Sequence, residues 1–312
     1  GQDVLFSRVI GDRPSQFKSW LKAIRAISLT ATLMPSVAVC LWLMSSGYDV
    51  NWPVTMFAIL GVLLLQVSVN LFNDVGDYLK LIDLPTSLGG SGVIQKGWLT
   101  TQQVRNAAWF CLILGGLFGL PALLQSPEGI LFCGSLAVLG VIGYSGKPFN
   151  FKYRAMGDIA VFALCGPILT MGVSYAAIGK IASGIALIGC FFGFAAAAIL
   201  NANNMNDIEV DTQRGASTLA SVLGFKLARN WQAAYYGAAY VSLGLLVQVA
   251  GSWWTLLPLI TIPLVIKQIT TLKSTSNSSD GKLASIRFDA AKLHLLMGII
   301  LCCSQLITWL SD

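Results

Sequence analysis

Two clusters of amides and carboxylates interrupt an otherwise apolar sequence. The first contains Gln66, Asn70, Asn73, Asp74 and Asp77, with Asp83 beyond it. The second contains Asn203, Asn204, Asn206, Asp207, Glu209 and Asp211. On a helix, Gln66, Asn70, Asn73 and Asp77 fall at i, i+4, i+7 and i+11, which is one stripe. Asn204, Asp207 and Asp211 follow the i, i+3, i+7 pattern in the same way. Carboxylate and amide oxygens are hard donors. They suit Mg²⁺, which keeps several waters and binds through one or two carboxylates together with substrate phosphates. Lys80, Lys96, Lys147, Lys152, Arg154 and Arg214 accompany the clusters. Two such clusters facing one another could hold metal ions with a diphosphate between them. A single cluster could equally be a polar fringe capping a helix. Two copies at matching ends of apolar segments argue for a shared task, because polar groups placed in a membrane helix are costly.

The elements that must position these residues are membrane helices. The 312 residues are 55% hydrophobic and only 11% charged. A soluble domain carries about 25% charged residues, so a soluble globular protein is excluded. Nine apolar segments are expected to span the bilayer, near 27–47, 53–72, 107–124, 129–145, 159–178, 181–200, 231–250, 254–271 and 290–310. The third and fourth are separated only by 125–128 and should form a tight hairpin. Pro35, Pro121, Pro167, Pro258 and Pro263 lie inside spans, which bundles tolerate. The fold class is therefore all-α: a polytopic bundle of about nine transmembrane helices. Stretches 99–104 and 217–223 are expected to form short cytoplasmic cap helices.

Charge sets the orientation. With nine spans and an inner N-terminus, only Lys180 of the 20 Lys and Arg residues falls on an outer connection. Both acidic clusters then lie on the cytoplasmic face, and the C-terminus lies outside. Residues 1–26 are polar, carry Arg8, Arg13, Lys18, Lys22 and Arg25, and show no cleavage-site pattern. They are expected to form a cytoplasmic N-terminal segment, with 27–312 a single transmembrane domain.

Other reactive side chains carry less. The seven cysteines lie in apolar stretches without a CxxC pair, so they read as buried packing residues. His294, the only histidine, reads as a packing residue near the start of the last span. Tyr78, Tyr144 and Tyr153 could orient an acceptor hydroxyl or anchor the interface. The Gly-Gly-Ser-Gly run at 89–92 reads as a hinge rather than a phosphate cradle.

The segments NDVGDYLKLID (73–83) and NANNMNDIEVDTQRGASTLASVLG (201–224) resemble the two Asp-rich motifs of the UbiA superfamily of intramembrane prenyltransferases. GVIQKGWLT (92–100), YSGKPFNFKYRAMGD (144–158) and GPILTMGVSY (166–175) are similar to its MenA-type branch, the 1,4-dihydroxy-2-naphthoate polyprenyltransferases of menaquinone synthesis. The resemblance covers roughly residues 20–225. It implies an integral protein of the bacterial inner membrane that uses Mg²⁺, a prenyl diphosphate donor, an aromatic acceptor and surrounding membrane lipid, with no nucleic acid. It assigns Asn73, Asp74, Asp77, Asp207 and Asp211 to the metal and its chemistry. It assigns Asn70, Tyr144, Lys147, Arg154, Asn203 and Asn204 to substrate binding, and Lys80, Lys96 and Arg214, cations on the same face, are expected to bind substrate with them. The chain departs from the family pattern at Ala26, Ala216 and Val222, where Pro, Lys and Arg are common, and in lacking an Arg within 89–92. Arg214 is expected to compensate. Other readings remain: a different enzyme of the superfamily (a 4-hydroxybenzoate or homogentisate prenyltransferase, a prenyl-glycerol synthase or a terpene cyclase), or a secondary transporter, whose carboxylates would usually sit nearer the midplane.

Overall fold

The structure is a computed structural model that describes residues 14–81, 90–275 and 283–311. Asp83, Gly89 and residues 276–280 of the Ser/Asn-rich stretch lie outside them. Within the described residues every regular element is a helix and no strand forms. In chain order these are α1 (Gln16–Ile24), α2 (Thr30–Ser45), α3 (Trp52–Leu79), α4 (Thr101–Phe118), α5 (Leu120–Gln125), α6 (Pro127–Ser145), α7 (Gly157–Leu164) and α8 (Pro167–Ile178). They continue with α9 (Ile185–Gln213), α10 (Leu219–Leu223), α11 (Phe225–Ala250), α12 (Ile262–Lys273) and α13 (Leu283–Ser311). Among the described residues 9 segments are long and apolar enough to cross a membrane. The expected span count is met.

Four local expectations change. Helix α1 lies within the segment read as merely polar; Ser15 caps it by accepting from the Lys18 N–H at 3.4 Å. Stretch 99–104 forms no separate cap helix. Thr100 and Gln103 make a reciprocal capping box that starts the span itself. The fifth span is two helices, α7 and α8, interrupted at Cys165 and Gly166. Pro167 lacks the N–H that a continuous helix would need there. The eighth span opens with a 3₁₀ stretch, Trp253–Thr261, before α12. The expected 217–223 cap is realised as α10, whose Thr218 and Ser221 form a second capping box.

Helix α9 is the axis of the bundle, packing on α7, α8, α11 and α13. Its membrane window is 67% buried, more than that of any other span. Phe191, Phe192, Trp42 and Leu243 fill the core beside it. Helix α3 instead packs on α4. A Cβ on Gly61 would stand 2.9 Å from the Gly115 carbonyl oxygen, and one on Gly115 would stand 2.9 Å from that of Gly61. Only glycines permit that crossing, as small residues do generally between membrane helices. At the far end, Gln125 joins three elements: it accepts from Asn51 Nδ2 at 2.7 Å and donates to the Ala176 carbonyl at 3.0 Å. The predicted tight hairpin between α5 and α6 is present. Helices α3 and α9 therefore present their C-terminal, acidic halves at the same end of the bundle.

Candidate active site

Between α3, α4, α6, α8 and α9 lies a cavity of about 910 Å³. Its wall on α3 is unbroken from turn to turn: Asp77, Asn73, Asn70 and Gln66, then Val62 and Ala58. The four polar members are the stripe read from the sequence. Opposite them, α9 contributes Asn203, Asn204, Asp207 and Asp211. The wall thus changes from oxygen-rich to apolar along one helix, over about 28 Å at 1.5 Å per residue. Leu123, Ile130 and Leu131 close the apolar end.

The polar wall is held in place from outside. Asn70 donates to the Ser28 hydroxyl at 2.8 Å and to the Ile24 carbonyl at 3.1 Å. Gln66 donates to Asn70 Oδ1 at 3.4 Å and accepts from Thr32 at 3.2 Å. The turn between α1 and α2 thus orients the amides. Asp77 is 1% exposed. The Lys152 ammonium contacts its two oxygens at 2.8 and 2.7 Å and Asn73 Oδ1 at 3.0 Å. The Tyr153 hydroxyl donates to Asp77 Oδ1 at 2.7 Å. On the second motif, Thr218 Oγ1 donates to Asp211 Oδ2 at 3.3 Å. Backbone pairing between Arg154 and Ser217, with the Ser217 N–H on the Tyr153 carbonyl at 3.3 Å, joins the 150–155 segment to the loop after α9. The two motifs are therefore linked through Tyr153: its side chain reaches one and its backbone reaches the other.

Asp74 stands apart. It lies one position off the α3 stripe and does not line the cavity. Its carboxylate pairs with Arg25 and accepts from the Ser91 hydroxyl and N–H. It is 2% exposed, whereas Arg25 reaches the cavity wall. Ser91 is accordingly anchored on Asp74.

Of the expected site residues, Asn70, Asn73, Asp77, Tyr144, Asn203, Asn204, Asp207 and Asp211 line the cavity. Lys80, Lys96, Lys147, Arg154 and Arg214 do not. The Lys80 ammonium lies over the Tyr153 ring at 3.4 Å and donates to Asn150 at 3.1 Å. Burial holds its pKa below the ordinary lysine value; Asp77 acts in the opposite sense, and Lys152 and Lys147 add to the lowering. Lys96 lies 5.1 Å from the Trp98 ring centroid. Lys147 and Arg154 are exposed. Arg214 caps the C-terminus of α9. Two cations lie on the wall: Lys152, which the sequence placed among the cations accompanying the clusters without a binding role, and Arg25, which it did not. Their signal lay in the quoted 144–158 segment and in the last basic residue before the first span. His294 is buried away from the cavity against Phe192, with ring centroids 5.6 Å apart, as a packing residue should be. Asn206 holds α13 through the Leu283 carbonyl at 3.0 Å.

The donor set fits a hard cation. The polar residues that α3 and α9 bring to the cavity wall offer oxygen from carboxylates or amides. Among the described residues no three His, Cys, Asp or Glu side chains converge to hold a metal by themselves. Mg²⁺ bound by such oxygens would complete its shell with phosphate and water.

A family model described as the UbiA prenyltransferase family matches residues 33–300. The chain belongs to the UbiA prenyltransferase family. A relative in Escherichia coli (strain K12), 1,4-dihydroxy-2-naphthoate octaprenyltransferase, is 30% identical over 264 residues, covering 81% of this chain and 84% of its own. Among solved structures, the apo form of a UbiA homologue from Aeropyrum pernix K1 superposes with a TM-score of 0.66 at 16% identity, covering 91% of this chain and 98% of its own. A UbiA homologue from Archaeoglobus fulgidus bound to GPP and Mg²⁺ superposes with a TM-score of 0.60 at 14% identity, covering 91% and 99%. At such identities these two show the fold alone. This UbiA prenyltransferase is thus an integral membrane enzyme that transfers prenyl groups.

Proposed function

We propose that this UbiA prenyltransferase transfers a polyprenyl group from its diphosphate to 1,4-dihydroxy-2-naphthoate, in the manner named for its E. coli relative. The observation that carries the reading is the single cavity with an oxygen-rich end between two acidic stripes and a long apolar end. A molecule with an anionic head and a hydrocarbon tail matches that gradient. Asn73, Asp77, Asp207 and Asp211 are the residues that would hold Mg²⁺. When bound, Mg²⁺ offsets the charge that develops on the departing diphosphate. Arg25 and Lys152 add fixed positive charge at the same end, where a low dielectric strengthens it.

The bond that breaks is the allylic C–O bond, whose electron pair leaves with the diphosphate. The prenyl carbon, now cationic in character, is attacked by the electron-rich ring carbon that bears the carboxylate. Loss of that carboxylate as CO₂ returns the ring to aromaticity, so charge and atoms balance. The apolar wall keeps water from quenching the cation. Tyr144, which lines the same cavity, would orient an acceptor hydroxyl. Charge asymmetry supports an active site facing the cytoplasm, with the N-terminus inside and the C-terminus outside, in a bacterial inner membrane. Residues 27–312 act as one catalytic domain within surrounding lipid, completed by Arg25 and Ile24 from the segment before it.

The test is an acceptor panel with purified enzyme, Mg²⁺ and octaprenyl diphosphate. Prenylated naphthoquinol with stoichiometric CO₂ is expected from 1,4-dihydroxy-2-naphthoate. Preferential turnover of 4-hydroxybenzoate or homogentisate would replace the acceptor assignment. Diphosphate release with no acceptor present would point to a cyclase instead.

A further inference from the structure

We propose that Lys152 and the divalent metal compete for Asp77, so that the metal enters with the diphosphate rather than ahead of it. This rests on the prenyl-diphosphate reading above. An ammonium has three donors. Lys152 directs them to three acceptors of the first motif: Asp77 Oδ1 at 2.8 Å, Asp77 Oδ2 at 2.7 Å and Asn73 Oδ1 at 3.0 Å. These are the oxygens that this motif offers to a metal. A cation approaching Asp77 from the cavity side meets the ammonium already on both its oxygens and must compete with it.

The side chain is built to move while its base stays fixed. Lys152 sits in the 3₁₀ turn Phe151–Tyr153. That turn is pinned at Asn150, whose N–H reaches the Gly146 carbonyl at 2.9 Å. It is pinned again at Tyr153, through Asp77 at 2.7 Å and through Ser217 at 3.3 Å. The four-carbon stem can then swing without disturbing Asp77, which keeps its Tyr153 hydrogen bond. Lys152 lines the cavity that Asp207 and Asp211 also line.

The consequence follows from charge pairing. If a metal took Asp77 alone, the Lys152 ammonium, whose side chain is only 18% exposed, would lose the carboxylate that it pairs with, and breaking a pair this buried is disfavoured. A diphosphate arriving with the metal supplies the missing partner: the metal takes Asp77 and the ammonium takes phosphate oxygens. Metal and diphosphate must therefore bind cooperatively. By linkage each raises the affinity for the other by the same factor.

The experiment measures Mn²⁺ binding to the purified full chain in nanodiscs by paramagnetic resonance, with and without inorganic pyrophosphate. Wild-type protein is expected to bind Mn²⁺ about tenfold or more tightly when pyrophosphate is present. Lys152→Gln is expected to bind Mn²⁺ alone about fivefold or more tightly than wild type, to bind pyrophosphate more weakly, and to lose most of the coupling. Lys152→Arg, which keeps the charge, should retain the coupling. A residue serving only to stabilise the loop would weaken Mn²⁺ binding when replaced, the opposite sign. Equal Mn²⁺ affinity in wild type and Lys152→Gln overturns the competition while leaving the proposed function standing. No Mn²⁺ binding in either protein, with or without pyrophosphate, overturns both.

Discussion

Asp74 and Asp77 are three residues apart, yet the structure gives them different work. Asp77 faces the cavity, while Asp74 faces Arg25 and Ser91 behind it. Replacing Asp77 or Asp207 by Asn should lower kcat about 10²–10³-fold, the usual cost of losing one electrostatic stabiliser; Asp207→Asn should change the melting temperature little, whereas Asp77→Asn also breaks the buried pair with Lys152. Asp74→Ala should act mainly on stability. Removing one partner of a fully buried pair costs ~3–5 kcal/mol. Because Arg25 keeps 24% side-chain exposure, about 2 kcal/mol is expected here. Thermal unfolding in detergent, measured beside turnover, separates the two effects; equal melting loss in the Asp74 and Asp207 variants would remove the distinction. The spacing of Gln66, Asn70, Asn73 and Asp77 made the wall of α3 legible in the sequence, because a helix projects such positions along one line. Lys152 was not legible in that way. Its contact with Asp77 depends on a 3₁₀ turn 75 residues further along the chain, and no periodicity within α3 reports it. Arg25 was hidden for a similar reason: it sits at φ 55° between α1 and the turn before α2, a backbone break that hydropathy does not register.

At the scale of elements, glycines divide into two kinds. Gly61 and Gly115 close the α3–α4 crossing, so a larger side chain at either must push helices apart. Gly61→Leu should destabilise by about 1–3 kcal/mol. Gly116 and Gly134 also line the cavity, but a Cβ at either meets nothing within 4 Å. Bulk there fills the apolar channel without disturbing the helices. Gly134→Phe and Gly116→Phe should lower the ratio of octaprenyl to geranyl diphosphate turnover by about tenfold or more, since a short donor does not need the outer half. Steady-state kinetics with both donors read the ratio directly, and an unchanged ratio would show that the tail runs elsewhere. Span existence was legible from hydropathy, but the break of the fifth span at Gly166 was only hinted at by Pro167. The capping box at Thr100 turned an expected cap helix into the start of α4, a choice made by two side chains rather than by apolar content.

For the whole molecule, the gradient of charge and the gradient of the cavity agree. The cavity end that carries Asp77, Asp207 and Asp211 is the end whose connections hold the Lys and Arg residues. The orientation predicts that Lys147→Cys reacts with a membrane-impermeant maleimide in inverted vesicles and not in intact cells, in a background lacking the native cysteines. Lys180→Cys should show the reverse; labelling of both from one side would overturn the topology. Overall architecture was accessible from sequence because lipid permits few backbone solutions. The convergence of α3 and α9 was implied only by two motifs of one chemistry, and it took the packed bundle to place them across one cavity.

In the proposed mechanism the stripes on α3 and α9 hold one diphosphate through shared divalent cations. An anomalous-scattering map of crystals grown with Mn²⁺ and a non-hydrolysable prenyl diphosphate analogue would show this arrangement. Mn²⁺ peaks are expected at coordination distance, about 2 Å, from Asp77 on one side and from Asp207 or Asp211 on the other, with diphosphate density between them and the tail running toward Gly134. Mn²⁺ or diphosphate density away from this cavity, or metal held by one stripe alone, would contradict it.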